Sequence, residues 1–467
     1  TLNRAFMETM MGVDEPLPEE LTKAIAPPDL EGWAKWRDYG RVAKVGGGLI
    51  WQAIRLPRTR ARFYERLNKA LSRGDAHKTA NLTELAAEYR AIESELLDQW
   101  DAPLVNDFLC MIGFGLSRNV LEKWAGPKGL SFHNDVMIGQ GDIVSAEPAQ
   151  RIAKIGAMVA AKGETDAEFA AKQHPEIATE IDSYLAKFGD RCTQELKLES
   201  IPLSDDPAQL YAAISAQAAR PVAAYEHADP DWSALIANPV KRTVAKAVTT
   251  WAKARVRDRE NLRFERTRIF GHARRIFLAM GRELTALGKL SDPRDVFYLT
   301  VDEVLGAIEG SGLTQELSPL VSQRKAETDA SAARPDPNER LTIRGAAITA
   351  PIATSAPPPP EGDLQQATGC SAGIVTAKAR VILDPRTESL TPGDILIARN
   401  TDPGWIAVFS NASAIVVERG SLLSHSAIVA RELGITCVVG LKGATEWVTS
   451  GETLEVNGET GTVRKLT

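Results

Sequence analysis

The spacing of apolar positions divides the chain into a helical first part and a mixed last hundred residues. Around 100–125 the segment PLVNDFLCMIGFGLSRNVLEKW is apolar at helical intervals with few breakers. Residues 148–173 and 206–219 are alanine-rich and keep the helical period. The longest such stretch, 240–288, contains no proline and closes on Gly288, a helix-stop residue. It predicts one very long helix or two in series. The tract DVFYLTVDEVLGAI then predicts a short strand and a helix capped at Asp302.

The texture changes after residue 368. IVTAKARVIL, DILIARN, SAIVVE, TCVVGL and ETLEVN are short, β-branched and bounded by turn residues, so each predicts a strand. Between them HSAIVARELG predicts a helix that stops at Gly434. The join holds a run of four prolines, Pro357 to Pro360, among Ala, Ser and Thr. Such a segment favours an extended, semi-rigid polyproline II conformation. The expected organisation is a helical domain over 1–349, a Pro-rich linker over 350–368 and a small α/β domain over 369–467. No internal repeat is visible.

At 467 residues the chain exceeds one ordinary core, in keeping with this division. A net charge of −6 and a pI near 5.7 argue against a nucleic-acid or anionic-membrane binder, while leaving room for a local basic pocket. Cys110, Cys192, Cys370 and Cys437 are far apart and form no C-x-x-C pair, so free thiols in a reducing compartment are expected. No signal peptide, transmembrane-length apolar run or metal-ligand pattern is seen, and a cytoplasmic location is expected. The first residue is Thr1, which leaves room for a preceding segment. The Gly46–Gly48 run lacks the flanking strand and Lys-Ser/Thr of a phosphate loop.

The most chemical segment is ERGSLLSHSAIVARELGITCVVG. A strand runs into a Gly-Ser turn, Ser424 is a suitable N-cap, and His425 falls in the first helical turn. The first N–H groups of a helix lack internal partners and favour negative charge. An imidazole there is available as a neutral nucleophile, and its phosphoryl adduct would meet those donors. A histidine that only caps or packs is the bland alternative. A second candidate is RDRENLRFERTR, where Arg259, Arg263 and Arg266 follow at i, i+4 and i+7 and share one helix face. Three guanidiniums on one face call for an anion, and a phosphoryl group matches their paired donors. Glu260 could orient one of them. The alternative is a solvated face laced by Asp258, Glu260 and Glu265.

The blocks GCSAGIVTAKARVI, PGDILIARNTDPGW and GSLLSHSAIVARELGITCVVG resemble, in order and spacing, the mobile domain of the phosphoenolpyruvate-utilising enzyme family. The resemblance implies a swivelling phosphohistidine domain and makes His425 the phosphorylated residue. It implies that Thr401, in the T-D-P-G-W turn, hydrogen-bonds the histidine, with Ser424 and Arg431 in support. Ser421, Thr436 and Ala377 depart from the family pattern without removing chemistry. Upstream, FGDRCTQELKLE, HNDVMIGQGDIVSAEP, VRDRENLRFERTR and DPRDVFYLTVDEV are similar to the middle domain of rifampicin phosphotransferase and phenylphosphate-synthase-like dikinases. Asp190 stands where that family often has histidine. Arg191 and Glu195, expected at i, i+4 on a helix, and His133 are candidates for the substrate pocket.

The resemblance implies a dikinase-type phosphotransferase. ATP and Mg²⁺ would sit on an ATP-grasp nucleotide-binding subunit or a missing N-terminal domain, because no ATP-grasp segment is found here. His425 would carry the β-phosphoryl group to a hydroxyl of a small organic acceptor, with Arg259 and Arg263 steadying its charge, giving AMP and phosphate. Phe108, Met111, Phe114 and Trp124 favour a phenolic or apolar alcohol acceptor. The alternative is a non-enzymatic phosphohistidine carrier or regulatory protein.

Overall fold

The computed structural model describes residues 33–74, 76–137, 143–219, 231–312, 314, 316–334 and 360–466. A largely helical domain is followed by a small α/β domain. The main helices of the first domain are α1 (Trp33–Leu71), α2 (Leu82–Ile92), α3 (Asp101–Ala125), α4 (Pro127–Val136), α5 (Glu147–Ala161), α6 (Ala167–Gln173) and α7 (Pro175–Phe188). Then come α8 (Ala208–Ala219), α9 (Pro239–Ala286), α10 (Val301–Glu309) and α11 (Leu317–Ala332).

The long apolar-periodic stretch is one helix, α9, of 48 residues. The Asn238 side chain accepts from the N–H groups of Val240 and Lys241, and Pro239 takes the first turn, where its missing N–H is harmless. The helix ends just before Gly288, whose φ of 72° is left-handed. At 1.5 Å per residue it is about 72 Å long, and separate cores form along it. Leu262, Ile269, Ile276 and Met280 pack with α1 and α2, Phe264 joins the α5–α8 core, and Ala252 and Val256 face α3.

Residues 293–298 are a 3₁₀ turn, where the sequence pattern suggested a strand. Asp292 caps it by accepting from the Arg294 N–H, and Pro293 pre-sets the helical φ. Thr300, not Asp302, caps α10, in a reciprocal capping box with Glu303.

The small domain holds β1 (Leu364–Gln366), β2 (Thr368–Ser371), β3 (Ile374–Val381), β4 (Ile395–Ala398), β5 (Ala414–Val417), helix α12 (His425–Leu433), β6 (Thr436–Val439), β7 (Thr453–Asn457) and β8 (Thr462–Leu466). They form one eight-stranded sheet in the order β1-β8-β7-β3-β4-β5-β6-β2. The central run β3-β4-β5-β6 is parallel and its flanks are antiparallel. β4, β5 and β6 are buried on both faces, so they read as continuous apolar runs. Leu396, Ile415 and Val439 turn toward α12, and Ile397, Val416 and Val438 toward the opposite core.

The end of the expected linker belongs to this sheet. Leu364–Gln366 pairs antiparallel with Thr462–Arg464, and Thr368 opens β2. These edge strands are short and polar, so they carry little periodic signal. Residues 350–359 of the linker lie outside the described residues.

The two domains touch at several places among the described residues, besides the contacts of His425 and Asp402 described below. Ile428 of α12, with Leu422 and Leu423, enters the cluster of Cys110, Phe114, Ala252 and Val256. Ala149 of α5 packs into the small domain's core. The side chains of Gln209 and Gln217 donate to the carbonyls of Pro385 and Ser410. At Gly404 the backbones meet: a Cβ there would lie 2.5 Å from the Cys192 carbonyl carbon and the Thr193 nitrogen.

Neither backbone can retreat from such a clash alone, so Gly404→Val is expected to part the domains while leaving each folded. Small-angle scattering should show a larger radius of gyration, with the cooperative melting of the small domain kept. An unchanged scattering profile would place the contact elsewhere.

Candidate functional site

His425 opens α12 as the sequence suggested. Ser424 is the N-cap, its hydroxyl accepting from the Ala427 N–H at 3.4 Å, and Gly434 closes the helix at φ 67°. The approach segment is tied at both leucine carbonyls. Arg259 Nη1 donates to Leu423 O at 2.8 Å, and the buried Arg431 folds back from α12 to donate to Leu422 O. Arg431 thereby holds the turn that delivers the histidine.

The His425 side chain is 11% exposed. Its Nδ1 lies 3.4 Å from Glu260 Oε2 on α9. That oxygen also accepts from Ser145 Oγ at 2.7 Å, and Oε1 is 3.4 Å from Arg259 Nη1. Burial alone would raise the Glu260 carboxyl pKa. The bond to His425 and the charges of His425, Arg259 and Arg263 outweigh it and hold the group well below the usual range. An ionised carboxylate only accepts, so the proton is on Nδ1. Nε2 is buried without a hydrogen-bond partner.

Arg259, Arg263 and Arg266 surround Asp107 of α3. Arg259 Nε is 3.6 Å and Arg263 Nη2 3.7 Å from its carboxylate oxygens, and all three charges bear on it. These are ion pairs longer than hydrogen bonds. Nε of both Arg263 and Arg266 is buried without a partner. The anion among the arginines in this state is thus a protein carboxylate.

The turn 401–404 meets the loop 190–198. Asp402 accepts from the Gln194 N–H at 2.7 Å and from the Gly404 N–H at 2.8 Å. Gln194 adopts φ 56°, unusual for a residue with a side chain. Thr401 does not hydrogen-bond His425: its Oγ1 is buried without a partner, because the turn is oriented by Asp402 instead. Arg191 and Glu195 are not on a helix, since residues 191–200 form successive turns. The Arg191 guanidinium lies over the rings of Phe264 and Phe188, 5.2 and 5.9 Å from their centroids. Arg274 of α9, 1% exposed, holds the loop by donating to the carbonyls of Glu195, Lys197 and Leu198. Asp190, at the histidine position of the resemblance, pairs with Arg275 and packs on Gly271.

His133 shares none of these bonds. It is fully buried, its Nε2 2.7 Å from Ser117 Oγ and its ring edge-on to Phe114. Burial, with the charges of Arg431 and Arg118, pushes its pKa down to about 3, so it is a neutral packing residue. Asp107, Ser145 and Arg274 went unseen in the sequence, since nothing in their local patterns marks them.

Residues 390–461 match the family described as the PEP-utilising enzyme mobile domain, and residues 105–280 match the rifampicin phosphotransferase fourth domain. An uncharacterized protein of Mycobacterium tuberculosis is 32% identical over 318 residues, 68% of this chain and 33% of its own length. A rifampicin phosphotransferase of a Streptomyces species is 35% identical over 193 residues, 41% of this chain and 22% of its own. The prodigiosin synthesizing transferase PigC of Serratia marcescens is 31% identical over 301 residues, 61% of this chain and 33% of its own. The chain spans about a third or less of the length of these relatives. It carries a PEP-utilising mobile domain joined to a domain of the rifampicin phosphotransferase type.

Glu260 is expected to couple docking to pH. Its folded carboxyl lies below the ordinary value of about 4.3, so its stabilisation is complete above that value and is lost as pH falls toward the folded one. Glu260→Gln should lower stability at pH 7 by about 3 kcal/mol, the scale for breaking a buried pair. Thermal unfolding of both proteins should show the gap narrowing in acid. A gap constant from neutral pH to pH 3 would contradict this assignment.

Proposed function

We propose that the chain is the acceptor-binding and phosphohistidine portion of a dikinase-type phosphotransferase. His425 Nε2 receives the β-phosphoryl group of ATP from an ATP-grasp domain or subunit and passes it to a hydroxyl of a small organic acceptor. AMP and phosphate are the other products. The relatives named rifampicin phosphotransferase support a transfer of this type.

The observation that carries this reading is the difference between the two ring nitrogens. Nδ1 is engaged by an ionised, buried carboxylate, and Nε2 has no partner. The ring is therefore fixed in the tautomer whose Nε2 lone pair is the nucleophile. Arg259 is bound to the backbone next to the histidine, and Arg263 has an unpaired buried Nε. Both can take the charge of a phosphoryl group, the main electrostatic demand of its transfer. ATP and Mg²⁺ are assigned to the nucleotide-binding part. Within this cluster Glu260 is already engaged by His425, Ser145 and Arg259, and Asp402 by two backbone N–H groups.

Between Arg191, Cys192, Pro403 and Gly404 the docked domains leave a cavity of only about 10 Å³. That small gap is not lined by His425; a domain that travels between two sites keeps water from both transfers. Of the four side chains read as favouring an apolar acceptor, Phe114 and Trp124 are packed into helical clusters. Phe108 and Met111 remain half-buried on α3, Phe108 beside Asp107 and Met111 beside Cys110 in the sequence. They support a phenolic or apolar alcohol.

The test uses the chain with its nucleotide-binding part and ATP labelled at the β-phosphate. Wild type should take an acid-labile label that is lost when acceptor is added. His425→Ala should take none, and its stability should change by no more than about 1 kcal/mol, since Glu260 keeps Ser145 and Arg259. A label that persists in the variant would refute His425 as the carrier.

A further inference from the structure

Three carboxyl groups lie near enough to His425 for its charge to act on their ionisation: Glu260, Asp402 and Glu195. Two are committed. Glu260 is shared by His425, Ser145 and Arg259. Both oxygens of Asp402 accept backbone N–H bonds, from Gln194 and Gly404.

Glu195 differs. It is 4% exposed, and its Oε2 is buried without a hydrogen-bond partner. The Thr267 hydroxyl lies beside it, favouring the ionised form without completing a hydrogen bond. The loop cannot easily swing the group into solvent, because Arg274 holds the carbonyls of residues 195, 197 and 198. Thr193 Oγ1, Thr267 Oγ1, Thr401 Oγ1 and His425 Nε2 are also buried and unpartnered. Unpaired buried polar atoms are costly, so several on the segments that meet here mark a place built for a polar reactant.

We propose that Glu195 is the general base that takes the proton of the acceptor hydroxyl as its oxygen attacks phosphorylated His425. This rests on the phosphotransfer reading above. In the step, the acceptor oxygen bonds to phosphorus and the P–Nε2 bond breaks, leaving its electron pair on Nε2. The ring, protonated at Nδ1 toward Glu260, departs as neutral imidazole. The hydroxyl proton goes to Glu195 Oε2. The phosphoryl group keeps its two negative charges; the ring loses its positive charge and Glu195 its negative one, so charge balances. Burial raises the Glu195 carboxyl pKa, opposed by Arg191 and His425 and assisted by Asp402. The shift brings the base toward working pH, where proton transfer is efficient.

The full chain can be loaded at His425 with phosphoramidate, without any nucleotide, and mixed with phenol or n-butanol. Wild type is expected to form the phosphate ester, at a rate that falls in acid through an apparent pKa above the ordinary glutamate range. Glu195→Gln should load equally but transfer about 10²-fold or more slowly, with the acid limb gone. Glu195→Asp should recover part of the rate and keep the limb. Wild-type rate and profile in Glu195→Gln would overturn the proposal and leave the phosphotransfer reading intact. Slow transfer accompanied by a larger radius of gyration would assign Glu195 to docking and also overturn it. A wild-type chain labelled at His425 that passes nothing to either alcohol would overturn the reading and the proposal together.

Discussion

A carboxylate that is 2% exposed stays ionised only if donors converge on it, and the donors around Glu260 come from three separated segments. Ser145 precedes α5, Arg259 is its neighbour on α9, and His425 belongs to the other domain. Two of these donors belong to the helical domain, and His425 completes the set when the small domain is docked. One buried group holds the ring orientation, its tautomer and the meeting of the domains in a single constraint. The surrounding arrangement serves this: α9 runs unbroken so that Val256, Glu260, Phe264 and Thr267 keep one helical face, three and four residues apart.

The arginines show why one face of a helix can be read in two ways. Arg259, Arg263 and Arg266 do cluster, and an anion does lie among them, but it is Asp107 at ion-pair range. Burial raises the Asp107 carboxyl pKa, opposed by Arg263 and Arg259. Two adjoining polar compartments follow. One holds the arginines with Asp107. The other holds His425 with Glu260 and Ser145. Arg259 belongs to both, through Asp107 and through Leu423 O.

Local features were legible in the sequence. The start and stop of α12 rest on Ser424 and Gly434, within the element itself, and the length of α9 follows from a stretch without breakers. Strands β3 to β7 stood out by their β-branched runs, continuously buried in β4, β5 and β6. β1, β2 and β8 did not, being short polar strands at or near the sheet's edges. The site was legible only in part, because its partners are remote along the chain. Glu260 and His425 are 165 positions apart and Asp402 and Gln194 are 208, so no local pattern connects them. The stacking of Arg191 on Phe264 and Phe188 likewise depends on how α7 and α9 pack, which no window of sequence contains.

The small domain encloses nearly all of its own core. Among the described residues, only Ala149 comes from outside on the α12 side of the sheet, and the core on the other side is built from residues after 366. Leaving its berth uncovers Ile428, whose full burial is worth about 2 kcal/mol, with Leu422 and Leu423, and the short segment 406–409 that packs on α5 and α8. Such a unit is indifferent to its surroundings, as a cartridge is to the instrument it fits. Its fold asks of a host only a shallow apolar seat, a glycine-sized backbone contact and one carboxylate for the histidine. Evolution could therefore recombine it with new acceptor domains without redesigning its interior.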